Sequence, residues 1–292
     1  MSLRYKESFL LTSTALALTL PRAMADGPFV SVSESATWQD NITYAPSGDG
    51  IRGALSLESG FQVDWLRSLD FSTTLTSGVA GDVDVCTEYA GLDNVCLGPT
   101  LELRHKYGLG PLAPVVYAGL EGSAAGFQDP ERSKIEGDFI FGFSQRLSDA
   151  FQVALDGRLG SFNARDIVFS GNFASLGAAL NWDASETWRI KLLGGWRNGD
   201  LVSDYAAEES PFGWVAIDPN TEYLPGAWHY VRTFHGPFVA YRVSTVTWSY
   251  GAAISPAIGP HTSATLQYTH YLSPGIDRYV DNVVSLSVAH RF

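Results

Sequence analysis

The stretch Ile51-Arg52-Gly53-Ala54-Leu55-Ser56-Leu57-Glu58-Ser59-Gly60-Phe61-Gln62-Val63-Asp64 alternates apolar and polar side chains. Ile51, Leu55, Leu57, Phe61 and Val63 fall on one face of an extended strand, and Arg52, Ser56, Glu58, Gln62 and Asp64 on the other. The same two-residue period returns downstream. Ile135, Phe139, Phe141 and Phe143 oppose Glu136, Asp138, Ser144 and Arg146; Phe151, Val153, Leu155 and Leu159 oppose Gln152, Asp156 and Arg158. Trp188, Ile190, Leu192 and Trp196 oppose Arg189, Lys191 and Arg197. Between such segments, short turns at 64–68, 108–111, 147–150, 183–186 and 255–260 alternate with longer acidic or Gly/Pro-rich loops at 41–50, 81–99, 124–134, 163–168, 199–236 and 273–281.

Composition narrows the class. The 292 residues are 45% hydrophobic, 17% charged and 13% aromatic, too apolar for a disordered chain and too evenly mixed, at a mean hydropathy near zero, for a bundle of membrane helices. A soluble β protein and a membrane β-barrel both fit, because a barrel's lipid-facing and water-facing residues average out. Short turns on one side and long loops on the other favour the barrel, with the turns in the periplasm. Twelve strands are expected, with ten or fourteen as the alternatives: roughly 29–40, 51–64, 69–80, 100–107, 113–123, 135–147, 151–162, 169–182, 187–198, 238–254, 262–272 and 282–292. The fold class is thus all-β, a transmembrane antiparallel up-and-down barrel. In the segment from 238 to 254 the apolar parity switches between Val243 and Val246, which calls for a bulge near Ser244–Thr245 or a first half that projects beyond the bilayer.

The N-terminus reads as an export signal. Arg4 and Lys6 precede an apolar stretch from Phe9 to Leu20, and Ala23-Met24-Ala25 supplies a small-x-small cleavage pattern. Cleavage between Ala25 and Asp26 makes 1–25 a signal peptide and 26–292 a single barrel domain. Losing Arg4, Lys6, Arg22 and Glu7 takes the net charge from −12 to about −14, which argues against nucleic acid as a partner. In the oxidising compartment beyond the inner membrane, Cys86 and Cys96 are expected to form a disulfide that staples a loop tip.

The last ten residues, Val283-Val284-Ser285-Leu286-Ser287-Val288-Ala289-His290-Arg291-Phe292, resemble the terminal β-signal of Gram-negative outer-membrane proteins. Val284, Leu286, Val288 and Phe292 occupy the matching positions, while His290 stands where an aromatic residue is more usual. The resemblance implies residence in the outer membrane, contact with its lipids and lipopolysaccharide, and recognition of the terminal strand by the barrel-assembly machinery.

Chemistry is sparser than fold. A lipid hydrolase needs a serine with a base in hydrogen-bond reach. The one His-x-Ser, His261-Thr262-Ser263, lies at a periplasmic turn with Ser263 directed inward. His105 and His290 fall near periplasmic strand ends, His229 and His235 in the long loop, and His270 on the lipid face near the outer rim. Asp200, Asp204, Glu208 and Glu209 gather carboxylates without the spacing of a calcium loop, so no metal or other cofactor is expected. Outward Trp65, Trp182, Trp188, Trp196 and Tyr268 suit interfacial girdles. The expected function is a passive, porin-like channel for small hydrophilic solutes. Its lining candidates are Arg104, Lys106, Arg158, Arg189, Lys191, Arg197, Glu136, Asp138 and Asp156. Anions would be favoured if the basic row Arg189, Lys191 and Arg197 lacks partners. The alternatives are a closed barrel with a structural or surface-interaction role, whose inner charges pair across the lumen, and the lipid hydrolase. The loop 199–236, with Phe212, Trp214, Tyr223, Trp228 and Tyr230, could fold in as a constriction or pack on the rim.

Overall fold

The computed structural model describes residues 28–46, 48–206, 228–231, 233–234, 238–274 and 278–292. The signal segment, with Ala25 and Asp26, lies outside the described residues, as do Glu208, Glu209, Phe212, Trp214, Tyr223 and His235 of the long loop. Thirteen strands follow one another: β1 (Phe29–Gln39), β2 (Ala54–Ser68), β3 (Thr73–Cys86), β4 (Asn94–Lys106), β5 (Val115–Phe127), β6 (Lys134–Arg146), β7 (Phe151–Ala164), β8 (Gly171–Asp183), β9 (Trp188–Ala206), β10 (Trp228–Val231), β11 (Phe238–Pro256), β12 (Thr262–Ser273) and β13 (Tyr279–Arg291). Each pairs antiparallel with its neighbours, β9 pairs with β11, and β13 pairs with β1, so twelve strands close into a barrel. β10 is a four-residue addition to the outer end of β11. Followed once round the ring, the registers return to β1 displaced by about 16 residues, a stagger that tilts twelve strands by about 40–45°.

Alternation sets which side chains face out. Leu57, Phe61, Leu101, Leu103, Leu120, Phe139, Leu155, Leu176, Leu192, Ile254, Leu266 and Leu286 are all exposed, one apolar belt contributed by strands all round the ring. Water would penalise this surface by roughly 25 cal/mol for each Å², whereas hydrocarbon accommodates it. Trp65, Trp182 and Trp188 stand out near the ends of their strands by the short turns, with Phe151 stacked on Trp182. Val284, Leu286 and Val288 of β13 face outward, and Phe292 is 73% exposed beyond the end of the strand.

The strands are longer than the sequence pattern predicts. The segment 81–99, expected as a loop, is mostly β3 and β4, joined across only 87–93. Asp82 and Asp84 made it read as a loop, yet both point into the lumen and are buried there, with Cys96 opposite Asp82 and Glu58 opposite Asp84. That register also corrects the expected disulfide. Cys96 lies level with Asp82, four residues along β3 from Cys86, or about 13 Å at 3.3 Å per residue, well beyond disulfide reach. No disulfide joins Cys86 and Cys96. The parity switch in β11 needs no bulge either. Its pairing with β9 runs unbroken from Pro256↔Trp188 to Phe238↔Ala206, and its outer half rises beyond β12, whose pairing with β11 ends at Trp248↔Leu272.

The expected turn at 64–68 is strand, and the chain reverses at 69–72 instead. There the Asp70 carboxylate accepts from the backbone N–H groups of Ser72 (2.7 Å) and Thr73 (2.7 Å) and from the Ser72 hydroxyl (2.8 Å). The turn at 107–114 uses Gly108 and Gly110 at φ values of 103° and 89°, where a side chain would be strained. The Ser72 backbone bond first, then the two hydroxyls, hold the Asp70 carboxyl down at about 2. A depressed carboxylate stabilises the fold fully above its ordinary value of 3.8 and loses that contribution as pH falls through about 2. The melting temperatures of the wild type and Asp70→Ala in detergent are therefore expected to differ at pH 7 and converge near pH 2. A gap of equal size at both pH values would show that the ionised carboxylate is not the cause.

Candidate functional site

The lumen has two unlike walls. From β4 to β9 it carries charges, and most are partnered. Arg104 pairs with Glu102 at 2.9 Å on the same strand, and Lys134 with Glu136 at 2.6 Å. Arg158 reaches Asp138 on the neighbouring strand at 3.4 Å and, one strand further, Glu121. Asp183 takes both Arg146 (2.8 Å) and Arg189 (2.6 Å). Asp156 accepts the hydroxyl of Tyr117, whose ring lies across Gly142 and beneath the guanidinium of Arg104, 5.4 Å from its centroid. A β-carbon on Gly142 would collide with that ring, so the missing side chain is what lets Tyr117 lie flat toward Asp156.

The nine lining candidates all point inward. Of the basic row on β9, Arg189 pairs with Asp183, Lys191 is buried within the wall, and Arg197 donates to the Asp200 carbonyl at 2.7 Å with its guanidinium over the Phe173 ring. Lys106 stands half-buried at the short-turn end of β4. The premise for anion preference, a basic row without partners, is therefore not met at Arg189.

The other wall, from β11 through β12 and β13 to β1, presents hydroxyl and amide groups. Its inward positions include Thr247 and Ser249; Thr265, Gln267 and Thr269; Ser285 and Ser287; and Ser33, Ser35, Thr37 and Gln39, interspersed with Gly251, Ala253, Tyr271, Tyr279 and Val283. Among the described residues, inward charge on these strands enters toward the ends of β13, at Asp281 and Arg291. Between the walls lies a cavity of about 310 Å³ bordered by Ser35, Thr37, Ser285 and Ser287 on one side and Tyr117, Asp156 and Arg158 on the other.

The outer mouth is filled by protein. The tall β9–β11 hairpin bends inward, so that Val202, Asp204, Phe238 and Ala240 are buried above the cavity. One side of it is sewn to the loop after β1: the Asp204 N–H donates to the Thr43 carbonyl at 2.8 Å and the Ser203 hydroxyl to that of Tyr44 at 2.8 Å. Tyr44 holds a φ of 53°, rare for a side-chain-bearing residue, while its ring packs edge-on against Tyr279. Burial pushes the Tyr44 phenol up, which keeps it neutral. On the other side, the short loops after β3, β5 and β7 each contain a single 3-10 turn, and these deliver Leu92, Arg132 and Phe169 to the mouth.

Arg132 is the centre of this closure. It is fully buried, donates to Asp204 at 3.0 Å and to the Thr233 hydroxyl at 3.1 Å, and lies 4.4 Å from the centroid of the Phe169 ring. The Thr233 hydroxyl in turn donates to Asp129 at 2.7 Å. Burial works against the guanidinium's charge, and Asp204 counters it. Asp204 is thus engaged with an arginine, while Asp200 accepts from the Asn172 N–H at 3.0 Å, so the acidic pair considered for a metal serves the protein's own groups. No signal in the sequence marked Arg132, since an arginine in Asp129-Pro130-Glu131-Arg132-Ser133 reads as solvated loop.

The histidines fall apart as a catalytic set. His261 is exposed in a turn, and Ser263 pairs with Ala289 at the end of β12. His270 faces outward near the rim, with Nδ1 2.8 Å from Asn282 Oδ1, and Asn282 donates its amide to Asp40 at 2.6 Å. His105 and His290 bond Thr73 and Thr262 across neighbouring strands.

No family model and no curated protein matches this sequence. Among solved structures, the COG4313 outer membrane channel from Pseudomonas putida F1 is similar over 94% of this chain and 100% of its own, at 12% identity and a TM-score of 0.56. The NanC porin (9% identity, 89% and 98% covered, TM-score 0.46) and the KdgM porin (10% identity, 90% and 99% covered, TM-score 0.43) lie further off. The fold is that of the outer-membrane β-barrels.

Removing Asp204 leaves the buried guanidinium with only the longer ion pair to Asp129, at 3.6 Å. Asp204→Ala is expected to destabilise the mouth by about 3–5 kcal/mol, whereas the paired replacement Arg132→Met/Asp204→Leu costs far less. Limited proteolysis of the refolded barrel reads this as faster cutting of the β9–β11 extension in the single variant only; equal cutting in both would show that the ion pair does not hold the hairpin.

Proposed function

We propose that the chain, exported and freed of its signal peptide, is a passive channel for small hydrophilic solutes in the outer membrane of a Gram-negative bacterium. The observation that carries this reading is the cavity of about 310 Å³, lined by hydroxyl, charged, aromatic and aliphatic side chains, inside a closed twelve-strand barrel whose outside is apolar. An outer membrane channel shares the fold over nearly the whole chain, which agrees with it. The lipid-facing belt contacts membrane lipids, the outer loops meet lipopolysaccharide, and the terminal strand with Val284, Leu286, Val288 and Phe292 is offered to the assembly machinery. The closure at Arg132 and Asp204 makes the channel a gated one, in which the β9–β11 hairpin must swing outward for passage.

That same closure favours a second reading, a permanently shut barrel with a structural or surface-interaction role. A lipid hydrolase gains no support from His270, whose partner is an amide and not a serine. Single-channel recording in planar bilayers separates the first two readings. The wild type is expected to give small, infrequent openings, and Arg132→Ala/Asp204→Ala to raise their frequency at least tenfold. Silence from both proteins, each folded by heat-modifiable migration, would establish the shut barrel instead.

A further inference from the structure

We infer that the solute is an uncharged polyhydroxylated molecule of about monosaccharide size, held against the wall formed by β11, β12, β13 and β1. This rests on the channel reading and names the class of molecule that the lumen selects.

The wall is a grid of hydroxyl and amide groups. The register places Ser35 directly opposite Ser287, and Ser287 opposite Thr265. Two residues further along, Thr37 lies opposite Ser285, and Ser285 opposite Gln267. Two parallel rungs result, with neighbours about 4.7–4.9 Å apart along a rung and the rungs about 6.7 Å apart along the strands. A hydroxyl has one donor and two acceptor sites, and part of this capacity is used within the wall: Thr265 bonds Ser255 at 2.9 Å and the Gln267 amide donates to Thr269 at 3.2 Å. A polyol, whose successive hydroxyls are themselves donor and acceptor, can exchange its water for this grid at several points at once. An ion gains much less there, because no group that these four strands place on the rungs carries charge to replace its hydration; the nearest carboxylate, Glu58, stands on β2 opposite Ser35.

The facing wall does not offset this. Its arginines have carboxylates close by: Arg158 has Glu121 and Asp138, and Arg189 has Asp183, which it shares with Arg146. Around the cavity itself, Glu58, Asp156 and Asp281 stand against Arg158 and Arg197, a near balance of sign, while Asp82 and Asp84 add acidic positions on β3 beside Glu58. A field that sorts ions needs one sign repeated along the path. The cavity of about 310 Å³ lies at the small end of ligand-sized spaces, which sets the size limit.

The test uses three molecules with one six-carbon polyol skeleton: neutral sorbitol, anionic gluconate and cationic N-methylglucamine. Radiolabelled uptake into proteoliposomes held at zero membrane potential is measured for the full barrel and for its Arg132→Ala/Asp204→Ala form. Sorbitol is expected to enter at least tenfold faster than either ion. Ser285→Val/Ser287→Val should slow sorbitol at least threefold while leaving ion leak unchanged, and Ser285→Thr/Ser287→Thr, which keeps the hydroxyls, should restore the rate. Gluconate entering as fast as sorbitol, or sorbitol indifferent to the valine pair, overturns the inference and leaves the channel reading standing. No uptake of any of the three, together with no salt conductance in either form, removes the channel reading and this inference with it.

Discussion

A peptide group in hydrocarbon has no water to bond, so a sheet that crosses a membrane must pair every strand on both edges. The β1–β13 seam meets that demand, running from Ser31↔Arg291 to Gln39↔Val283. Without it two open edges of amide and carbonyl groups would face lipid. Everything else in the molecule follows from the closed ring: the apolar belt outside, the turns at one end, and an enclosed space that tolerates side chains which neither lipid nor a packed core would accept.

That space explains the composition of the inward positions. Charges partly exposed to lumen water need less compensation than those in a dry core, yet Arg158, Arg146 and Arg189 are all paired, which rigidifies the β4–β9 wall. At the mouth the environment is different. Arg132 and Asp204 are both fully buried, and the pair is best understood as a device that fixes where the hairpin sits rather than as a source of net stability.

Much of this was legible in the residues. Alternation placed nearly every strand and the correct face of each, because one face must meet lipid and a slip by one residue would invert all of them. Strand ends were harder: Asp82 and Asp84 mimic a loop when the lumen as a second polar solvent is left out of account. The cysteines misled for a related reason, since nine residues of chain between them say nothing of the four-residue offset in register. Inward charges could be named, but their partners lie on other strands, as Glu121 and Asp138 do for Arg158. The neutral wall escaped notice because serines and threonines look unremarkable singly; only the registers that align Ser35 with Ser287 and Thr37 with Ser285 make them a surface.

The seam between β13 and β1 also differs from the rest in chain topology. Every other pairing in the ring joins strands that follow one another, apart from the short excursion between β9 and β11, so these contacts are local and cheap in loop entropy. The β1–β13 seam alone joins segments more than two hundred residues apart. A curved, open ribbon of hairpins can therefore form progressively, and its conversion to a tube is one late, concerted event whose barrier falls on a single pair of edges. The same edges are where the tube should part first when it is pulled or heated, because no covalent turn holds β13 to β1.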